Sequence, residues 1–187
     1  MDTYLFDMND TIIDSSIYQR MNKELISVLA EKSSKTEEQI KQMFLEVNKE
    51  TGGLISDSYD LSKKLGATEI YYDILEKYTK HTFVLKTKNI RDIFKKIKAK
   101  NKKIGIVSNS QERTIDIFLT RFNLKEYVDF VETGMKNTVL FWITLAKKHN
   151  LEKENTLMID DSKTILDLAK HAGFNVLNID HINELEL

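Results

Sequence analysis

Short apolar runs recur along the chain, and in its second half they are separated by longer segments of helical periodicity. Each run holds three or four residues, which is typical of strands that are buried on both faces of a sheet. We predict strands at residues 4–6, 104–107, 128–131, 156–159 and 176–179.

The segments between the later runs carry apolar residues three and four positions apart, a spacing that lines one face of a helix. The predicted faces consist of Ile90, Ile93, Phe94 and Ile97; of Ile115, Phe118, Leu119 and Phe122; and of Ile165, Leu168, Ala169 and Ala172. Gly173 is expected to end the last helix. Strands that alternate with helices predict an α/β fold with a Rossmann-like, doubly wound parallel sheet.

This alternation stops between residues 15 and 83, where the pattern is helical throughout. A block of this kind between the first two strands predicts an inserted α-helical cap over residues 15–83, and a core formed by residues 1–14 and 84–187. Gly52 and Gly53 are expected to form a turn between cap helices. The apolar faces of two cap helices consist of Met21, Leu25, Val28 and Leu29, and of Ile40, Met43, Phe44 and Val47. A third cap helix is predicted over residues 71–78.

Composition narrows the classes of function. The 187 residues suffice for one domain or for a core with a modest insertion. With 28 Lys and Arg against 29 Asp and Glu, the formal charge of -1 provides no field that attracts nucleic acid or an anionic membrane, so we expect a small-molecule partner. Cysteine is absent, which excludes disulfides and thiolate chemistry. No apolar run approaches the roughly 18 residues of a membrane span, and no signal-like segment begins the chain, so a cytoplasmic location is expected.

Residues 86–103 form a strongly basic run, with nine basic residues and one acid. Such a run suggests nucleic-acid binding. However, the run also contains the apolar face formed by Ile90, Ile93, Phe94 and Ile97, which would pack on the sheet and leave the lysines in solvent. We therefore expect no nucleic-acid partner.

Polar residues follow several of the predicted strands. Asp7 and Asp10 follow the first strand, and Lys136 lies upstream of the fourth. The second strand is followed by Ser108-Asn109-Ser110 and the fourth by Asp160-Asp161-Ser162. Any one of these could merely cap a helix or form a turn. Because the carboxyl ends of parallel strands meet at one edge of a sheet, their joint occurrence predicts a shared cleft.

These residue types suit phosphoryl transfer through an aspartate. Asp7 would be the nucleophile, and Mg²⁺ would neutralise the anionic reactants. A hard cation with oxygen ligands suits Asp7, a nearby backbone carbonyl and Asp161. Ser108 and neighbouring amides could bind phosphate oxygens, while Lys136 supplies a positive charge.

The sequence resembles the haloacid dehalogenase superfamily, whose members carry Asp-x-Asp-x-Thr after the first strand, Ser or Thr after the second, then a lysine, and then an acidic pair. The resemblance covers essentially the whole chain, since the family core accepts a helical cap after the first motif. The acidic pair of this sequence is similar to that of the sugar-phosphate mutase and phosphatase branch of the superfamily. The matching residues are Asp7-Met8-Asn9-Asp10-Thr11, Ser108-Asn109, Lys136 and Asp160-Asp161.

The resemblance implies a role for each matching residue. Asp7 would form an aspartyl-phosphate, and Lys136 would stabilise charge. Phosphate would be bound by Thr11, Ser108, Asn109 and Lys136. A Mg²⁺ cofactor would be held by Asp7, Asn9 and Asp161, with Asp160 beside it.

Asn9 departs from the family pattern. The residue two past the nucleophile usually gives its backbone carbonyl to magnesium and its carboxyl to acid and base catalysis. Asn9 retains the carbonyl, but its amide does not transfer protons, a function worth about 10²–10⁴-fold in rate. Asp10 is the nearest substitute, although adjacent side chains point in different directions. Asn137 also replaces the proline that usually follows the lysine.

Three functions are compatible with these motifs. The first is a Mg-dependent phosphatase of a small phosphorylated metabolite, with turnover impaired by Asn9. The second is a 2-haloacid dehalogenase-type hydrolase in which Asp7 attacks carbon, although the acidic pair Asp160-Asp161 argues against chemistry without a phosphate. The third is a non-catalytic phosphometabolite-binding protein.

The sequence does not name the substrate, and it does not distinguish a monomer from a homodimer. The four scattered histidines show no metal-ligand spacing. Candidate substrate contacts in the cap are Gly52, Gly53, Tyr59 and Lys63.

Overall fold

A computed structural model describes residues 1–51, 57–81 and 84–185. The strands are β1 (Thr3–Phe6), β2 (Lys103–Ser108), β3 (Phe130–Thr133), β4 (Thr156–Asp160) and β5 (Asn175–Asn178). The helices are α1 (Ser16–Ser33), α2 (Glu37–Thr51), α3 (Asp57–Lys64), α4 (Thr68–His81), α5 (Ile90–Ala99), α6 (Glu112–Arg121), α7 (Val139–Lys148) and α8 (Lys163–His171). Short 3₁₀ turns lie at Lys125–Tyr127, Lys153–Asn155 and Ile179–Glu184.

The strands form one parallel sheet in the order β3-β2-β1-β4-β5. β1 lies at its centre, with Tyr4 opposite Ile104 on β2 and opposite Leu157 on β4. The predicted parallel α/β fold is therefore confirmed. β1 is buried along its whole length, so a side chain placed just after it starts from a rigid position.

Alternate residues of β1 face opposite layers of helices. Leu5 belongs to a core that includes Trp142 and Leu145 of α7 and Ala169 of α8. Phe6 packs against Phe94 of α5, with ring centroids 4.9 Å apart. The predicted apolar face of α5 is buried as expected, and it consists of Ile90, Ile93, Phe94 and Ile97.

The observed strand bounds differ from the predicted ones by one or two residues, and the differences at β3 and β5 have a structural cause. β3 begins at Phe130 and not at residue 128, because Val128 ends the 3₁₀ turn Lys125–Tyr127 and the pairing with β2 starts at Phe130 opposite Gly105. β5 ends at Asn178, and Ile179 starts another 3₁₀ turn. Apolar character alone did not separate these turns from the strands.

The chain divides into two compact units, Met1–Asp14 with Leu85–Leu187, and Ser15–Val84. The second unit contains α1 to α4 and no strand among its described residues. α3 was not predicted, because serines occupy its buried positions Ser58 and Ser62 on either side of Leu61. The predicted turn at Gly52 and Gly53 lies outside the described residues. No helix in the described ranges is long and apolar enough to cross a bilayer.

Candidate active site

Asp7 continues directly from the buried strand β1. Its backbone N–H donates to the carbonyl of Ile159 at 3.0 Å, which extends the pairing with β4 by one residue. The following loop is closed by the N–H groups of Ile12 and Ile13, which both donate to the Met8 carbonyl at 2.9 Å. Asp7 is only 5% exposed. The strand and the loop together hold its carboxylate in a fixed position.

Lys136 links this carboxylate to a second one. Its ammonium nitrogen Nζ contacts Asp7 Oδ1 and donates to Asp160 Oδ2 at 2.6 Å. All three side chains are almost completely buried. The structure therefore brings the predicted nucleophile, the predicted lysine and the first residue of the acidic pair into direct contact.

The backbone of Lys136 is held on both sides. Its N–H donates to Asn109 Oδ1, and its carbonyl accepts from Trp142 Nε1, each at 3.2 Å. Asn109 was predicted to bind phosphate, and its carbonyl oxygen here orients the lysine. Trp142 was not predicted, because its contact depends on how α7 packs beside the lysine loop.

The two carboxylates of the acidic pair, Asp160 and Asp161, have different surroundings. Asp160 Oδ1 accepts from the N–H of Ser162 at 2.8 Å, so both of its carboxylate oxygens are engaged. Asp161 is exposed, and Thr11 Oγ1 donates to its Oδ1 at 3.5 Å. Ser162 caps α8, whereas the two carboxylates point to other partners. The capping interpretation therefore holds for the serine alone.

Carboxylate oxygens of Asp7, Asp160 and Asp161 all lie within 4.8 Å of one another. These three carboxylates lie beside one ammonium group, so the cluster carries a formal charge of −2. A compact set of oxygen donors with excess negative charge suits a hard divalent cation such as Mg²⁺. The residues present therefore fit the implied metal.

The crowding of these charges shifts their ionisation. Burial raises the pKa of the Asp7 carboxyl to about 7, and the Asp160 charge adds to this while Lys136 opposes it. Burial, and then the Asp160 charge, raise the pKa of Asp161. For Lys136, burial alone would lower the pKa, but the two carboxylates raise it above its usual value. Removing the excess negative charge would favour the ionised carboxylates.

The loop after β2 provides hydroxyl groups. Ser108 is 1% exposed, and its Oγ accepts from the N–H of Ser110 at 3.2 Å. The Asn9 side chain reaches the same loop, because its Nδ2 donates to Ser110 Oγ at 3.2 Å. Ser110 is thus a site residue that the motif itself did not single out. It fixes the amide at position 9.

The described histidine side chains make structural contacts elsewhere. His149 pairs with Glu132, His171 with the carbonyl of Asp167, and His181 with Glu184. The side chain of His81 is not among those that the structure describes. None of the described ones belongs to the acidic cluster.

Solved structures share this fold at low sequence identity. The HAD phosphatase from Thermococcus onnurineus is 21% identical, with a TM-score of 0.72, over 94% of this chain and 85% of that one. L-2-haloacid dehalogenase from Xanthobacter autotrophicus with chloropropionic acid covalently bound is 14% identical, with a TM-score of 0.59, over 94% and 76%. The Bacillus subtilis protein YfnB bound to magnesium is 17% identical, with a TM-score of 0.60, over 93% and 86%. These similarities show the fold.

No curated protein matches this sequence. The sequence model of one family, described as haloacid dehalogenase-like hydrolase, matches residues 4–179. The matched stretch runs from β1 to the residue after β5 and includes every residue of the site. The chain therefore belongs to the haloacid dehalogenase-like hydrolase family, as the motifs around Asp7 and Asp160 predicted.

Proposed function

We propose that the protein is a Mg²⁺-dependent phosphatase that acts on a small phosphorylated metabolite through an aspartyl-phosphate on Asp7. The observation that carries this proposal is the buried contact of Asp7 with Lys136 inside a cluster of three carboxylates. A carboxylate alone repels a phosphate. An ammonium group and a divalent cation beside it remove that repulsion.

Each side chain has a definite task in this reaction. A carboxylate oxygen of Asp7 attacks phosphorus, and Lys136 neutralises charge on both Asp7 and the phosphoryl oxygens. The hydroxyls of Thr11 and Ser108 and the Asn109 amide are the proposed phosphate ligands. Mg²⁺, held by Asp7, the Asn9 carbonyl and Asp161 with Asp160 beside it, would supply Lewis-acid neutralisation of the phosphate.

Turnover of a generic aryl phosphate tests the proposal. Asp7→Asn should abolish turnover in the presence of Mg²⁺, and a chelator should abolish it in the wild type. Asn9→Asp should raise turnover by about tenfold or more, because it restores a group that transfers protons. An Asn9→Asp protein that folds, binds metal and shows no gain would contradict the acid and base role assigned to position 9.

A dehalogenase is the second candidate, and the amide at position 9 is the observation that favours it. A halide leaves carbon without needing a proton, so Asn9 would be no handicap. Halide release from 2-haloacids in the presence of a chelator would support this alternative, whereas strict Mg²⁺ dependence would exclude it. Phosphometabolite binding without hydrolysis, even after prolonged incubation, would instead indicate a binding protein.

A further inference from the structure

We propose, on the basis of the phosphatase chemistry above, that the site takes phosphoryl groups from donors whose leaving group departs as a stable anion, acyl phosphates in particular. We propose further that the phosphoryl group then persists on Asp7. Both parts follow from the amide at position 9 and from the contacts of the groups around it.

Hydrolysis of an alkyl phosphate needs two proton transfers. One group must protonate the leaving alkoxide, and one must take a proton from the water that attacks the phosphoenzyme. Asn9 carries an amide, which performs neither transfer, and its Nδ2 is committed to Ser110 Oγ at 3.2 Å. The Asn9 side chain is therefore held by Ser110 and does not exchange protons.

The carboxylates nearest to Asp7 already have other partners. Asp160 accepts from Lys136 Nζ at 2.6 Å and from the Ser162 N–H at 2.8 Å. Asp161 accepts from Thr11 Oγ1 at 3.5 Å and belongs to the proposed metal ligands. Asp10 follows Asn9 in a left-handed conformation with a φ of 56°, and the experiment below tests it directly.

When the donor is an acyl phosphate, transfer of the phosphoryl group to Asp7 requires no proton transfer. An Asp7 oxygen forms a bond to phosphorus, and the bond between phosphorus and the acyl oxygen breaks. The electron pair leaves on a carboxylate, which is stable without a proton near neutral pH. With an alkyl phosphate the same pair would leave on a strongly basic alkoxide, and the step would stall.

The second step lacks its base for every donor. A water oxygen must form a bond to phosphorus and lose a proton, while the bond between phosphorus and the Asp7 oxygen breaks and its electron pair returns to the Asp7 carboxylate. Without a positioned base, this step is slower by about 10²–10⁴-fold. Because formation with an acyl phosphate is fast and hydrolysis is slow, the aspartyl-phosphate accumulates.

Position 9 allows a test with little change of geometry. Aspartate has nearly the shape of asparagine, and the Ser110 hydroxyl could donate to its carboxylate in place of accepting from the amide. Asn150→Asp is the matched control, since it makes the same chemical change at an exposed position outside the site.

In the test, the full chain is incubated with Mg²⁺ and acetyl phosphate or, separately, with Mg²⁺ and glycerol 3-phosphate. Intact mass and hydroxylamine sensitivity report an aspartyl-phosphate, and phosphate release is followed in parallel. The wild type and Asn150→Asp should be labelled by acetyl phosphate alone, and Asp7→Asn should stay unlabelled. Asn9→Asp should hold no label, release phosphate at least about 10²-fold faster, and also hydrolyse glycerol 3-phosphate.

Turnover of glycerol 3-phosphate by the wild type at the rate of acetyl phosphate overturns the inference. Loss of that turnover in Asp10→Asn would then identify Asp10 as the group that transfers the proton. An unlabelled wild type beside an Asn9→Asp variant that hydrolyses both donors overturns the inference and leaves the proposed function intact. No reaction of either donor with either protein overturns the proposed function itself.

Discussion

At the scale of single residues, the position of the Lys136 ammonium depends on two neutral side chains. Asn109 and Trp142 hold the backbone of Lys136 at its N–H and at its carbonyl. Trp142 is completely buried, and the ring of Phe174 packs edge-on against it at 5.8 Å. An indole N–H is thus used as a rigid support for a charged group on the neighbouring loop.

Trp142→Phe should therefore impair the reaction beyond its effect on stability. The change leaves the Lys136 carbonyl without this donor, at a cost of about 1–3 kcal/mol in the free energy of unfolding. Displacement of the ammonium should lower kcat for an aryl phosphate by roughly tenfold. Ile97→Val, a buried change on α5, is the control, with a loss of about 0.5–1.5 kcal/mol and an unchanged kcat. Equal kcat values for the two variants would show that Trp142 only packs.

The raised pKa of Asp7 predicts a specific dependence of stability on pH. Without a divalent cation, the folded protein keeps this proton up to about pH 7, whereas an unfolded aspartate releases it near about pH 3.9. The folded state binds more protons in that window, so the free energy of unfolding should fall as pH rises through it. Mg²⁺ needs ionised carboxylates, so it should stabilise the protein more at about pH 8 than at about pH 5.

Thermal unfolding with a chelator and with Mg²⁺ at both pH values measures this difference. Asp161→Asn should lose most of the Mg²⁺ effect, and Asp116→Asn, in an exposed ion pair with Lys125, should keep it. A Mg²⁺-induced shift that is the same at both pH values would contradict the assignment of these carboxylates to the metal.

At the scale of elements, β3 is tied to the end of α7 by a small charged cluster. Glu132 Oε2 accepts from Lys148 Nζ at 2.7 Å and pairs with His149 Nε2 at 2.9 Å. The His149 ring also stacks on Phe130, with centroids 3.9 Å apart. Burial alone would raise the pKa of Glu132, but these two hydrogen bonds lower it below its usual value.

Glu132→Gln should lower the free energy of unfolding by about 1–2 kcal/mol near neutral pH. Because the folded pKa is lowered, the contribution of the carboxylate is present above its unfolded pKa of about 4.3 and is lost as pH falls through the folded value. Denaturant unfolding of the variant and the wild type should therefore converge in acid. Glu126→Gln is the control, because its pair with Arg91 is largely exposed and is worth at most about 1 kcal/mol.

Elements with clear periodicity could be predicted, and elements whose buried positions are polar could not. β1, β2 and β4 lie where their apolar runs placed them, since each is buried almost throughout. α3 escaped detection because Ser58 and Ser62 fill positions at which a pattern search expects apolar side chains. A helix of this kind is specified by its neighbours and not by its own sequence.

At the scale of the whole molecule, strand order assembles the site. β1 lies between β2 and β4, so Asp7, Ser108 and Asp160 start from three neighbouring strands although they are far apart in the chain. This convergence followed from the sequence, because parallel strands bring their carboxyl ends to one edge. The contact of the Lys136 ammonium with two carboxylates could not be predicted from the sequence, since it depends on how the loop after β3 folds back.

The bond between Asn9 and Ser110 has a practical consequence for any preparation of the protein. Asparagine and aspartate differ by the hydrolysis of one amide, a change that proteins undergo slowly on storage. If a carboxylate at position 9 accelerates turnover by about 10²-fold or more, deamidation of about one chain in a hundred would match the activity of all the others. Freshly made and aged samples should therefore be compared by peptide mass before any residual rate is attributed to the asparagine form.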